Sequence, residues 1–418
     1  MKTSYALVAT VLCAIGIASC APEVAPPARP AGAIVRETKP APQPPPPGET
    51  AGEESPELAA RAPAKPTSQK PGAPKPAPPS GREAPTASPS EPIEGFGAVT
   101  SGGAGGRVIT ISEPTEAAVR AAFVDANQTG HAIIRFAVED TIPIVKKLPI
   151  LTSPNLTIDG EGATLDGSEM KEGSAIVDIR THDVIVRNIH LRNGDDNLRF
   201  QGPDAFRIAV THVSSTGSND DGISIGYGAH DATVQYSFFA GDTRSVYCKY
   251  PGTNNISLHH SWIEKGAIRS PLFSGHLIAD MRNMIIEDWG EWGSRFEDGA
   301  SGNLVGSLFA LSPYATEVGG KPHGALRFKD AGPVYTSDNA ARGVALPPIT
   351  GTASAPIAAP PVRTQKVAAM EPIVRARAGC MPRDRIDDAY IHMTSGWEVK
   401  ETRPFRLSGS MPKVEKRE

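Results

Sequence analysis

A β-rich segment that recurs along the middle of the chain narrows the possible folds more than any other feature. Leu156-Thr-Ile, Val184-Ile-Val-Arg-Asn-Ile-His190, Phe206-Arg-Ile-Ala-Val-Thr-His212, Ala232-Thr-Val-Gln-Tyr-Ser-Phe238, Ile256-Ser-Leu-His-His-Ser-Trp262, Leu277 to Met284 and Leu304-Val-Gly-Ser-Leu-Phe309 follow one another between Leu148 and about Phe309. Successive runs lie roughly 20 to 28 residues apart, separated by Gly, Asn, Asp and Ser. A leucine-rich repeat would show Leu-x-x-Leu-x-Leu, which is absent, and a sandwich would need hairpin turns at shorter spacing. The pattern predicts an all-β chain wound as a parallel β-helix solenoid. Each strand of such a coil pairs with those above and below, inward residues form apolar columns, and outward residues form columns on the surface. The turn after Leu191, the turn after Thr216, and Arg269 would then line one face.

The flanks read differently. Pro114 to Asn127 carries Ala117, Val119, Ala122 and Phe123 at helical spacing, which predicts an N-terminal capping helix with one buried face. The glycine-rich stretch from Glu94 to Gly106 lacks both G-x-G-x-x-G order and a phosphate-loop Lys-Ser/Thr, so no nucleotide role is expected. The Pro- and Ala-rich segment from about Ala331 to Pro372 predicts a long loop. Met1-Lys2 followed by the apolar run Ala6 to Ala18 has the charge and length of a secretory signal, too short to stay as a membrane span. Its end, Ile17-Ala18-Ser19-Cys20, resembles a bacterial lipoprotein signal. That resemblance implies lipidation at Cys20 and a mature protein exported and anchored to the outer membrane or cell surface.

Residues 21–92 are Pro, Ala, Glu and Lys with almost no large apolar side chain, and cannot bury enough surface to offset the entropy of ordering. They predict a disordered tether reaching between about 50 and 200 Å. A folded domain is expected over 93–395, with a tail over 396–418. Of four cysteines, only Cys248 and Cys380 fall beyond the signal region, too few for a metal cluster; outside the cytoplasm they either pair or remain buried thiols. A net charge of −4 without a basic run argues against a nucleic-acid partner. A monomer is expected.

Five segments together resemble the pectate lyase family, secreted enzymes that cut polygalacturonate by elimination on a right-handed parallel β-helix. Glu94-Gly-Phe-Gly through Gly103-Ala-Gly-Gly-Arg-Val is similar to the family's opening. Pro154-Asn-Leu-Thr-Ile-Asp-Gly160 resembles its Asn-x-Thr-Ile-x-Gly coil, and Phe206 to His212 a strand ending in histidine. His259-His260 followed by Arg269-Ser-Pro271 resembles the catalytic strand ending Arg-x-Pro-Arg. Val374-Arg-Ala-Arg-Ala-Gly-Cys-Met-Pro-Arg-Asp384 resembles the closing Ala-Gly-Ala-x-Pro-Arg-Asp segment, and the likeness spans about Glu94 to Ile391.

The resemblance implies a base, a cation and a substrate grip. Arg269 would take the C5 proton of a uronate. Deprotonating an arginine of reference pKa near 12.5 at about pH 8.5 costs roughly 5 to 6 kcal/mol, so alkaline working conditions are implied. Calcium would neutralise charge developing on the substrate carboxylate. Its implied ligands are Asp195 and Asp196 on one coil and Asp220 and Asp221 on the next, with Ser224 standing near where the family has a further aspartate. Arg244, near a family His-x-Lys segment, would hold a uronate carboxylate. Leu272 replaces the second arginine of Arg-x-Pro-Arg. His259 and His260 read as strand residues, and Trp289-Gly-Glu-Trp292-Gly-Ser-Arg295 as a loop that either packs or stacks a sugar. The expected activity is calcium-assisted β-elimination of 1,4-linked galacturonan. The alternatives are a β-helical carbohydrate-binding lipoprotein without turnover, or a hydrolase using the paired aspartates around a water.

Overall fold

The computed structural model describes residues 91–171, 173–312, 322–343 and 351–393, with one short antiparallel strand pair, Glu398–Val399 and Val414–Glu415. The signal, Cys20, nearly all of the tether and, apart from that strand pair, the tail from 396 lie outside the described residues.

Between Arg107 and Arg342 the chain winds as a parallel β-helix. A 17-stranded sheet folds round two faces of the stack and a 7-stranded sheet closes the third. The interior is made of register-matched columns. Ile158 pairs with Val186, then Val210, Val234, Leu258, Met281 and Leu304 follow on successive coils, all buried. On the third face Phe200, Ile225, Cys248, Phe273, Phe296 and Phe328 form the matching column. Each such aliphatic side chain contributes about 1.5–3 kcal/mol relative to exposure.

The corners are also written in columns. Asn188, His212, Tyr236, His260 and Asn283 all have left-handed backbone, with φ between 45° and 52°, a conformation that bends the strand and that Asn and His accept more readily than most residues. Ring stacking supports the strain: His212 on Tyr236 at 5.4 Å and Tyr236 on His260 at 4.9 Å. The glycine-rich opening lies flat across the coils, where side chains would not fit. A Cβ at Gly97 would lie 2.0 Å from the Ile208 carbonyl oxygen, and one at Gly103 2.0 Å from that of Ala132.

The capping helix forms as expected. Helix α1 runs Glu116–Thr129, its N-cap Thr115 accepting from the Ala118 amide, with Val119, Ala122, Phe123 and Ala126 buried. The C-terminal segment packs along the side of the stack through helices α2, Val367–Arg377, and α3, Arg385–Met393. Met370, Val374 and Tyr390 join Phe238 and Trp262 in a second apolar cluster. Arg192, 1% exposed, reaches from the stack to Asp384 and Asp387, each at 2.9 Å. Ser214 donates to Asp387 and accepts from the Cys380 amide. The stretch expected as a loop from Ala331 is therefore partly regular: it holds strands Val334–Ser337 and Ala340–Arg342 and the first residues of α2. Cys248 and Cys380 are buried free thiols, and burial pushes both up from the ordinary thiol range.

Candidate active site

The candidate residues gather on the third face. Its strands Asp196–Gln201, Asp221–Gly226 and Arg244–Lys249 lie in register, so that Asp221 pairs with Arg244 while Ile223 pairs with Leu198 on the coil before. Asp196 and Asp221 therefore follow one another along the stack, and Asp196 Oδ1 accepts from the Asp221 amide at 3.2 Å. The acids expected in turns instead open strands at Asp196 and Asp221.

Asp196, Asp220 and Asp221 offer carboxylate oxygens within 4.8 Å of one another. Asp195 does not join them; it accepts from the Gly173 amide at 2.6 Å. Two arginines face the cluster. Arg199 donates to Asp196 Oδ2 at 2.6 Å, and Arg244 pairs with Asp220 and, at 2.8 Å, with Asp221. Burial, then the neighbouring Asp196 charge, pushes the Asp221 carboxyl up to about 8, against a hydrogen bond from Ser224 that opposes the shift. Burial also raises Asp196, and Arg199 opposes that rise. A carboxyl held this way seeks either a proton or a cation.

Arg269 sits at the next coil, in left-handed backbone with φ 54° beside Pro271. Its guanidinium lies over the Tyr247 ring at 5.1 Å, and Arg244 lies over the same ring at 5.3 Å. Among the described residues no carboxylate comes within ion-pair distance of Arg269. Burial, then the charge of Arg269, lowers Arg244 from the ordinary arginine range. Leu272 is 2% exposed and paired in the sheet between Tyr247 and Arg295, so it is a buried sheet residue. Arg199, Tyr247, Tyr227 and Tyr250 complete a cleft of about 210 Å³ with the acids. None of these four was singled out by the sequence.

The other expected candidates fall elsewhere. His259 and His260 lie on the larger sheet, buried, with their Nδ1 atoms 2.9 Å apart and His260 Nε2 2.6 Å from Gln365. Trp289 is core, and Trp292 opens strand Trp292–Glu297, with His323 edge-on at 5.5 Å.

Asp196, Asp220 and Asp221 present the kind of donors a calcium ion takes. Their donor set is all oxygen, as a hard cation requires. Asp221 Oδ1 is buried without a hydrogen bond, since Arg244 Nε is near enough for an ion pair but not aimed at it. The residues Asp196, Asp220 and Asp221 fit, provided Arg244 yields the Asp220 and Asp221 oxygens.

No protein-family model and no curated protein matches the chain. Solved structures do. A pectate lyase from a Bacillus species, in complex with trigalacturonate, is similar at TM-score 0.51 and 16% identity, covering 69% of this chain and 98% of that one. The major allergen of cedar pollen is similar at TM-score 0.49 and 16% identity, covering 69% and 93%. At these identities the likeness shows the fold: the chain has the parallel β-helix of pectate lyases.

Proposed function

We propose that the domain cleaves a 1,4-linked galacturonan by β-elimination, with Arg269 taking the proton from C5. The observation that carries this reading is Arg269 itself. It lies over Tyr247, which lines the cleft holding three clustered carboxylates, and among the described residues no carboxylate is within ion-pair distance to fix its proton. An arginine used structurally is normally ion-paired, and the other arginines of the cleft are.

In this reading Arg244 and Arg199 supply positive charge where uronate carboxylates would lie, with Arg244 able to grip one in bidentate fashion. Asp196, Asp220 and Asp221 would hold calcium, which when bound would neutralise the charge that develops on the substrate carboxylate. Loss of the C5 proton and of the bond to the leaving O4 yields a 4,5-unsaturated uronate that absorbs in the ultraviolet. The lipid anchor at Cys20 and the tether of residues 21–92 would hold this activity at the outer membrane or cell surface, as a monomer.

The test is to incubate the purified chain with polygalacturonate, with calcium and with a chelator, and follow ultraviolet absorbance. Calcium-dependent product supports the reading; new reducing ends without absorbance would replace it with hydrolysis. One observation favours a second reading, a binding protein without turnover: Arg244 already occupies Asp220 and Asp221. Retention of oligogalacturonate with no product in either condition would select it.

A further inference from the structure

The cleft does not end at its charged groups. Strand Asp221–Gly226 is followed by Tyr227 and strand Arg244–Lys249 by Tyr250, and because Gly226 pairs with Lys249 the two tyrosines occupy one position on successive coils. Their rings are parallel within 13° at 3.9 Å. Tyr250 meets Tyr247 edge-on at 6.0 Å, and Tyr247 carries the Arg244 and Arg269 guanidinium groups. An aromatic wall thus runs from the reacting arginine to Tyr227, which is 51% exposed.

On the preceding coil Gln201 pairs with Gly226, which gives Gly202 the place next to Tyr227. A Cβ built at Gly202 meets nothing within 4 Å. The ladder therefore lacks its next rung, and the outer face of Tyr227 looks onto open space one coil spacing deep, about 4.8 Å. That depth suits a pyranose ring lying by its C–H face on an aromatic ring.

We propose that this missing rung is a subsite for a neutral sugar, stacked on Tyr227 and hydrogen-bonded through its hydroxyls to the Gln201 amide. Among the described residues Gln201 makes no side-chain hydrogen bond, and it lines the same cleft. Neutrality follows from the surroundings: Arg199, whose charge reaches Tyr227, is already bonded to Asp196, and the exposed Asp204 in the same turn repels a carboxylate.

The position of the subsite deepens the proposed function, on which it rests. Asp196, Asp221 and Arg244 follow one another along the stack, so a uronate backbone would track them coil by coil. Tyr227 lies six residues beyond Asp221, about 20 Å along the strand direction. A ring held there is lateral to the backbone and several sugar lengths from it, so the substrate class is a galacturonan carrying neutral side chains of a few sugars.

Affinity electrophoresis of the full chain, in gels containing either plain polygalacturonate or a galacturonan branched with short neutral galactose chains, tests this. The wild type should bind the branched polymer on the order of tenfold more tightly, as one stacking contact allows. Tyr227→Ala should lose that preference and Tyr227→Phe keep it. Equal affinities in the wild type, or a preference that survives Tyr227→Ala, would overturn the subsite. Product assays run on the same polymers separate the two ideas. A preference for the branched polymer without unsaturated product supports the subsite and sinks the lyase reading; product from both polymers with equal affinities does the reverse.

Discussion

Calcium binding at Asp196, Asp220 and Asp221 should carry the titration of Asp221, whose carboxyl burial and Asp196 push up to about 8. A cation needs the carboxylate, so below that pH it must displace a proton. From about pH 6 to about pH 8 the apparent affinity should climb roughly tenfold per unit, about 100-fold in all, and flatten above. The sign for the metal-free protein is opposite. With a folded pKa raised above the unfolded one near 3.8, the stability from this group is fully present below that value and is lost as pH rises through about 8. Stabilisation by calcium should therefore grow across the same window. Calorimetric titration in buffers of different ionisation enthalpy counts the protons released. Asp221→Asn should remove the pH dependence and weaken binding above pH 8. An affinity that stays constant from about pH 6 to about pH 8 would refute the assignment of this carboxyl to the cation.

Arg269→Ala should reduce product formation by about a thousandfold or more while leaving the thermal midpoint nearly unchanged, because among the described residues Arg269 has no ion pair to lose; parallel rate assays and thermal scans check both. Arg244→Gln should raise KM for the polymer and, by freeing Asp220 and Asp221, tighten calcium, which titration with and without oligogalacturonate would read. Arg192→Met leaves the buried Asp387 of α3 without its arginine, with Ser214 still donating to it, and should cost about 3–5 kcal/mol in urea unfolding. Leu258→Ala, in the middle of the interior column, should cost about 2–5 kcal/mol by the same assay.

How much of this was legible depends on which face of the coil is considered. Strands such as Val184–Arg192 and Phe206–Thr216 are long and rich in branched residues, so their period stands out in the chain. Two strands of the third face were read as turns because each opens on an acid pair that follows Gly194 or Asn219, the composition of a turn. The signal of that face was the pair of inward apolar residues repeated coil by coil: Leu198 with Phe200, Ile223 with Ile225, Val246 with Cys248. Asp196, Asp221 and Arg244 could be suspected as a group, but their register could not. Tyr227 and Tyr250 become neighbours only through that register. The segment after Ala331 misled for another reason: Pro372 stands inside α2, where it removes a donor, and packing of Met370 and Val374 against Trp262 overrides that cost.

The charge balance of the cleft links its two expected ligands. Three carboxylates, Asp196, Asp220 and Asp221, face Arg199 and Arg244, with the charge of Arg269 also felt at Asp221, and burial still holds a proton on Asp221 up to about pH 8. Arg244 cannot grip a uronate carboxylate while it serves Asp220 and Asp221, and those oxygens cannot serve a cation while Arg244 holds them. Releasing Arg244 therefore prepares both events at once, and each ligand should strengthen the other by the same factor, as reciprocity of coupled binding requires. In Arg244→Gln the link is cut: calcium should still bind, and should no longer change the affinity for oligogalacturonate. A calcium effect on oligogalacturonate affinity as large in that variant as in the wild type would show that Arg244 does not couple the two ligands.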